Sequence, residues 1–130
     1  VALFRRRERA ADASRLAATE AAYEELGRVA LAGAEPIGGV RWRRHVKVAG
    51  RVRAIRVQPW AEVASLELTI ADRTGGLTVV FLGRRQIAGV RLGARIVVEG
   101  RVTAIRGQLA IMNPEYQLLP PQVPLPTWTD

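Results

Sequence analysis

VAGRVRAIR at residues 48–56 and VEGRVTAIR at residues 98–106 match at seven of nine positions. Both alternate apolar and polar residues, the pattern of a strand with one buried face. In the first copy Val48, Gly50, Val52 and Ala54 share one side, with Arg51 and Arg53 on the other. Ile55 and Val57 then switch parity, which a single strand achieves through a bulge or sharp coil, expected here near Ala54–Ile55. The second copy switches the same way at Ile105. Two copies are too few for a repeat array. Two bent strands of one shape instead suit the closing of a small barrel, because a flat sheet does not need them.

The flanking sequence fills in the remaining strands. Leu66, Leu68 and Ile70 alternate with Glu67 and Thr69 as a second strand, and Asp72-Arg73-Thr74-Gly75-Gly76 reads as a turn into a third, Leu77 to Leu82. Gly83 to Gly93 is a connector in which a short helix is expected around Arg85–Gly89. The fourth strand holds the second copy, and Arg106-Gly107-Gln108 turns into a fifth, with Leu109 and Ile111 pointing inward. Phe81 and Tyr116 are expected in the core. Upstream, residues 12–32 carry a helical pattern in Leu16, Tyr23, Leu26 and Ala30, capped by Asp12 or Ser14 and ended by Gly33 and Pro36. Glu24 and Arg28 are spaced to pair on it, and its thin apolar stripe is expected to pack on the following domain or to self-associate. Downstream, Pro120-Pro121-Gln122-Val123-Pro124-Leu125-Pro126 reads as polyproline-type chain, either a ligand for a proline-reading groove or a segment that leaves or lies against the domain. The order predicts an all-β protein, a five-stranded OB-fold Greek-key barrel with an N-terminal α-helix and an extended Pro-rich C-terminal tail. Its segments are a helical region (1–36), the barrel (37–119) and the tail (120–130).

Composition narrows the function. The chain has 130 residues, with Lys+Arg 20 against Asp+Glu 12, no Cys and one His, His45. Thiolate chemistry, disulfides and a two-histidine metal site are therefore excluded. Glu62, Glu67 and Asp72 are the only acids near one another in the barrel region. They lie on a turn and an exposed strand with no nucleophile–base spacing, so no catalytic residue, metal or cofactor is expected. No apolar run approaches the roughly 20 residues of a membrane span. The charged, alanine-rich N-terminus does not read as a secretory signal, and a cytoplasmic location is expected. Val1 is open to reading as a start codon translated literally or as a trimming point. The charge is unevenly divided: residues 1–36 balance to zero, whereas residues 37–119 hold 14 bases against five acids. A barrel with that excess repels itself, for which a polyanion partner is the usual explanation and an Arg-rich composition set by codon usage and solubility the alternative.

The stretch GGLTVVFLGRRQIAGVRLGARIVVEGRVTAIRGQLAIMNPEYQLL, Gly75 to Leu119, resembles the OB-fold wedge domain of RecG-type branched-DNA helicases. The shared order is a Gly turn, a strand ending in Phe, a connector, a V-x-V-x-G-x-V strand and a closing Asn113-Pro114-Glu115-Tyr116. The likeness extends more weakly back to about Val46. It implies a stand-alone DNA-contacting wedge without ATP chemistry, since no G-x-x-x-x-G-K-[ST] loop is present. The family's two stacking aromatics fall here on Leu82 and Gln86. Base stacking at those positions is lost, Leu82 remains as an apolar wedge, and Arg84 and Arg85 between them are placed to hold phosphates.

OB-folds grip single strands across strands 2–3 and loops 1–2 and 4–5. On that basis Arg53 and Arg56 at the first bend, Arg84 and Arg85, and Arg106 in the 4–5 turn are expected to line one basic groove. Trp60 is the candidate stacking platform, with the alternative that it folds over the barrel mouth. Trp42, inside Arg41-Trp42-Arg43-Arg44-His45, either stacks or packs the helix onto the barrel. The triplet Arg5-Arg6-Arg7 is read as a solvated terminus or a further phosphate contact. Arg51, Arg91, Arg95 and Arg101 are read as solvated or paired, and Glu67 interrupts the positive surface. The expected partner is single-stranded or branched DNA held mainly by its backbone, with structured RNA the nearest substitute. The competing reading is a protein-interaction OB domain whose barrel or tail docks onto a partner in an assembly. Oligomeric state is left open.

Overall fold

The computed structural model describes residues 2–128; the question of Val1 and the last two tail residues, Thr129 and Asp130, lie outside them. Its elements are α1 (Ala2–Ala30), a 3-10 turn (Ile37–Gly39), β1 (His45–Trp60), β2 (Val63–Ala71), β3 (Gly76–Leu82), β4 (Arg95–Ile105), β5 (Gln108–Met112) and β6 (Glu115–Leu119). The strands hydrogen-bond in the order β1-β2-β3-β5-β4-β6, and β1 also pairs with β4, closing the ring. All pairings are antiparallel except β3 with β5. This is the five-stranded closure of an OB-fold with one strand added.

The repeated nonapeptides lie against each other. β1 and β4 pair about Val48↔Val98, so that Val46 faces Gly100 and Gly50 faces Ile96. Past this shared segment each strand turns to a new partner, β1 to β2 and β4 to β5. The hydrogen bonds at the two departures repeat with an offset of fifty residues. Val52 N donates to Ala94 O and Gly93 N to Val52 O, and Val102 N donates to Arg44 O and Arg43 N to Val102 O, all at 2.8 Å. The echo is therefore a local two-fold in the hydrogen bonding, each copy closing the ring on the other. The expected parity switch is a bulge only in β1. The β4–β5 register runs unbroken from Val102 to Ile105, and Ile105 is buried on the other side of the sheet from Val102.

The bulge in β1 falls between Val52 and Ala54, with Arg53 the extra residue, slightly before the expected position. Inside the ring, Val48, Leu68, Ile70, Val79, Ile96 and Ile111 are fully buried. Burial of each such side chain contributes about 1.5–3 kcal/mol.

Several local expectations change. α1 starts at Ala2, not Asp12, because residues 2–11 are Ala, Arg and other helix formers with no breaker. Asp12 and Ser14 are consequently mid-helix rather than caps, and Arg5-Arg6-Arg7 is helical. Arg28 pairs with Glu25 rather than Glu24. Of α1 only Gly27 and Ala30 are buried, where the last two turns, with Tyr23 and Leu26, pack on Ala49, Val97, Leu119 and Val123. The connector 83–93 forms turns without a helix. The fifth strand runs on as β6: the register along β4 slips by one residue between Val102↔Ile111 and Glu99↔Glu115, so Asn113-Pro114 is a bulge inside one long strand. Tyr116 is 40% exposed, edge-on to buried Phe81, because β6 stands outside the ring. Ile55, Val57 and Leu109 are exposed, since both hairpins run on beyond the barrel.

Candidate nucleic-acid interface

The bulge at Arg53 decides which side chains reach the outer surface of β1–β3. Before it Arg51 points outward and Val52 is buried; after it the even positions Ala54, Arg56, Gln58 and Trp60 share the outer side. Opposite them β2 presents Thr69, Glu67 and Ser65, and β3 presents Thr78, Val80 and Leu82, while Leu66, Leu68 and Ile70 fill the core. β5 extends the face with Ala110 and Met112, which pair with Thr78 and Val80. Hairpins border it: β1–β2 turns at Ala61 (φ 47°) and Glu62 (φ 71°), and β4–β5 at Arg106 (φ 51°) and Gly107 (φ 77°). Two consecutive positive φ values are the tight hairpin turn whose twist matches the strands.

The face is covered by these hairpins. Trp60, Leu82 and Met112 pack with Val80, Ile105 and Ala110, and Val80 and Ala110 have no exposed surface although they point out of the barrel. Glu67, only 6% exposed, forms an ion pair with Arg106. Arg56 stands opposite Glu67 in the β1–β2 ladder. Arg56 and Arg106 occupy the last position of the two nonapeptides, and of the two only Arg106 is ion-paired with Glu67. Ser65 Oγ donates to Gln58 O at 2.8 Å, tying the hairpin further.

The candidate residues divide into groups. Arg56, Trp60, Leu82 and Arg106 come together on the face. Arg84 and Arg85 are exposed in the turn after β3, at the end where Gly83 N donates to Ala64 O. Arg53 lies round the bend, in a cleft it lines with Arg51, Arg73, Arg95, Asp72 and the Pro124–Thr127 segment. Arg51 and Arg95 have no acidic partner among the described residues, and which arginines would lack one could not be read from local sequence. Trp42 does not join helix to barrel; it is 54% exposed, with the Arg43 guanidinium 4.1 Å above its ring.

Two polar residues position the site. Asn113 (φ 48°) donates its N–H to Val80 O at 2.7 Å, and its Oδ1 accepts from Leu82 N at 2.9 Å. The most distinctive residue of the closing motif thus fixes the end of β3. Asp72 anchors the β2–β3 turn: Oδ1 accepts from Thr74 N, Thr74 Oγ1 and Gly75 N, and Oδ2 from Ile37 N. Burial works to raise its pKa, but the bonds from Ile37, Thr74 and Gly75 outweigh it and hold the carboxyl below its ordinary value. Among the described residues no helix is long and apolar enough to cross a membrane.

No curated protein matches the chain. Among solved structures, it is similar to the replication factor A related protein from Methanobacterium thermoautotrophicum, with 21% identity over 68% of this chain and 92% of that one and a TM-score of 0.55. The p204 HINb domain is similar over 66% of this chain and 47% of that one, with 15% identity and a TM-score of 0.54. Likeness at these identities speaks for the fold. Residues 46–122 match the tRNA anti-codon family model, described as an OB-fold nucleic acid binding domain. That match spans more than half of the chain and covers the whole ring, both hairpins and the bulged closing strand, so the chain belongs to the family of OB-fold nucleic acid binding domains.

Proposed function

We propose that the protein is a non-enzymatic binder of single-stranded or branched DNA and holds it mainly by the phosphate backbone across the β1–β2–β3 face. The observation that supports this most is the contrast between rim and floor of that face. Exposed Arg56, Arg84 and Arg85 stand at its border, with half-exposed Arg106, while its apolar floor is covered by its own hairpins. Arginines at a rim grip phosphates without reading bases, so affinity falls with salt and depends weakly on sequence. Arg106 reaches a phosphate by exchanging Glu67 for it. Trp60, half-buried against the cluster of Val80, Ile105 and Ala110, becomes a stacking platform when the β1–β2 hairpin lifts. The likeness to the RecG wedge fits this reading in outline, with Leu82 as apolar wedge and the Arg84-Arg85 pair between the missing aromatics.

Fluorescence anisotropy with single-stranded, forked and duplex oligonucleotides, titrated with salt, tests it. Single-stranded and forked DNA are expected to bind better than duplex, with affinity falling steeply from 50 to 200 mM salt. Trp60→Ala is expected to weaken single-strand binding more than duplex binding; equal losses would count against stacking. Absence of binding to every oligonucleotide at low salt would overturn the proposal and favour a protein-docking role for the barrel.

A further inference from the structure

We propose that Arg51, Arg53, Arg73 and Arg95 form a second phosphate-holding cleft beside the proline segment, which takes the backbone of the same bound strand as it leaves the β1–β2–β3 face. This inference rests on the function proposed above and extends its footprint round the barrel.

Arg51 of β1 lies directly opposite Arg95 of β4 in the ladder. Like charges in that position destabilise a sheet, and none of the four arginines has an ion-pair partner among the described residues. Arg95 donates through one terminal nitrogen to Pro121 O, while its Nε is buried without a partner. The bond to Pro121 O fixes the guanidinium at the cleft wall and leaves further N–H donors on its terminal nitrogens for an anion. The one acid lining the cleft, Asp72, has Oδ1 engaged by the β2–β3 turn and Oδ2 by Ile37 N. The far wall, Pro124–Thr127, brings no charge, and the cleft between measures ≈ 390 Å³.

The bulge links this cleft to the face. Because Arg53 is the extra residue, Arg51, Arg53 and Arg56 all stand on the outer side of β1 although their spacing is uneven. Five residues of strand at about 3.3 Å each put Arg51 and Arg56 at most about 16 Å apart round the bend at Arg53. A backbone leaving Arg56 therefore meets Arg53 and then the Arg51–Arg95 pair.

The test compares oligothymidylates of 4 and 18 nucleotides on the full chain and on Arg51→Gln/Arg95→Gln. The double variant is expected to bind the 18-mer about tenfold more weakly at 50 mM salt, with a salt slope reduced by about 1.4, the value for two lost single-strand phosphate contacts. The 4-mer, whose three phosphates are too short a run to reach from the β1–β2–β3 face to the Arg51–Arg95 pair, should lose less than threefold. Melting temperature checks the fold, and Arg53→Gln/Arg73→Gln, two exposed residues, gives an independent pair should the first fail to fold. Equal losses at both lengths, or none at either, would overturn the proposal while leaving binding at the β1–β2–β3 face intact. Failure of the parent chain to bind either oligomer would overturn both readings. Tripolyphosphate that stabilises the parent but not the variant, without any length-dependent loss, would assign the cleft to a free polyphosphate instead and also overturn it.

Discussion

The two copies of the nonapeptide share sequence and a hydrogen-bonding pattern, yet they end in opposite electrostatic situations. In the second copy Glu99 pairs with His45 at 2.9 Å, Ile105 is buried, and Arg106 is matched to Glu67. In the first copy Glu99's counterpart is Ala49, buried under α1, so no acid accompanies Arg51 and Arg53. Ile55 is exposed where Ile105 is covered. The first copy thus has a buried alanine where the second has a carboxylate, and Arg51 and Arg53 have no ion-pair partner among the described residues. Two copies of one sequence acquire different electrostatic surroundings from the elements packed against them, Glu67 of β2 for Arg106 and α1 over Ala49.

The strongest way to break the correspondence is through its two glycines. A Cβ on Gly50 would lie 2.8 Å from the backbone carbonyl of Ala71, whereas one on Gly100 would meet a side-chain methyl of Ile111 at the same distance. Gly50→Ala is expected to cost about 3 kcal/mol and Gly100→Ala about 1 kcal/mol, read by urea denaturation, because a methyl yields more easily than backbone. Equal costs would mean that the two bends are held alike.

Removing Arg106 should be next in size. Arg106→Ala leaves Glu67 buried without its ion-pair partner and is expected to cost about 2 kcal/mol, below the range for fully buried pairs because the guanidinium is half exposed. Arg51→Gln removes a like-charge contact and is expected to raise the melting temperature. Destabilisation by both would erase the contrast between the copies.

Asp72, beside the first copy, adds a pH signature. Its folded pKa is depressed, so its contribution is fully present above the unfolded value and is lost as pH falls through the folded one. Asp72→Asn should flatten the acid limb of stability below about pH 4, and an unchanged limb would show that the turn is held otherwise. The smallest effect concerns affinity. Glu67→Gln frees Arg106 from its internal anion and is expected to tighten single-strand binding about three- to tenfold at low salt, while Arg51→Gln should weaken it. A loss with Glu67→Gln would mean that the pair positions Arg106 for DNA rather than competing with it.

Much of the ring was legible from period-two patterning. Five strands, a parity switch in β1 and the Asp72–Gly76 turn follow from residues that are buried or strained locally. The start of α1 was missed because Ala and Arg are helix formers without an apolar stripe, and helix 2–22 packs on little. The Asn113-Pro114 bulge was read as a motif after the fifth strand, since a one-residue slip leaves no trace in hydrophobic period. Candidate site residues were chosen by charge and loop position. That choice brings together Arg56, Trp60, Leu82 and Arg106, which share the face, whereas Arg51 and Arg95, expected solvated or paired, lie opposite each other without an ion-pair partner among the described residues.

By itself the sequence determined the barrel, the bend in β1 and where the charge excess lies, because alternation, glycine and net charge are local properties of the chain. Only the tertiary structure decided that the two bent strands pair with each other, that Glu67 serves Arg106, and that Arg51 faces Arg95. Those are pairings between residues dozens of positions apart. Electrostatic energy and hydrogen-bond satisfaction depend on such distances in space, which ring closure sets and no single stretch of sequence contains.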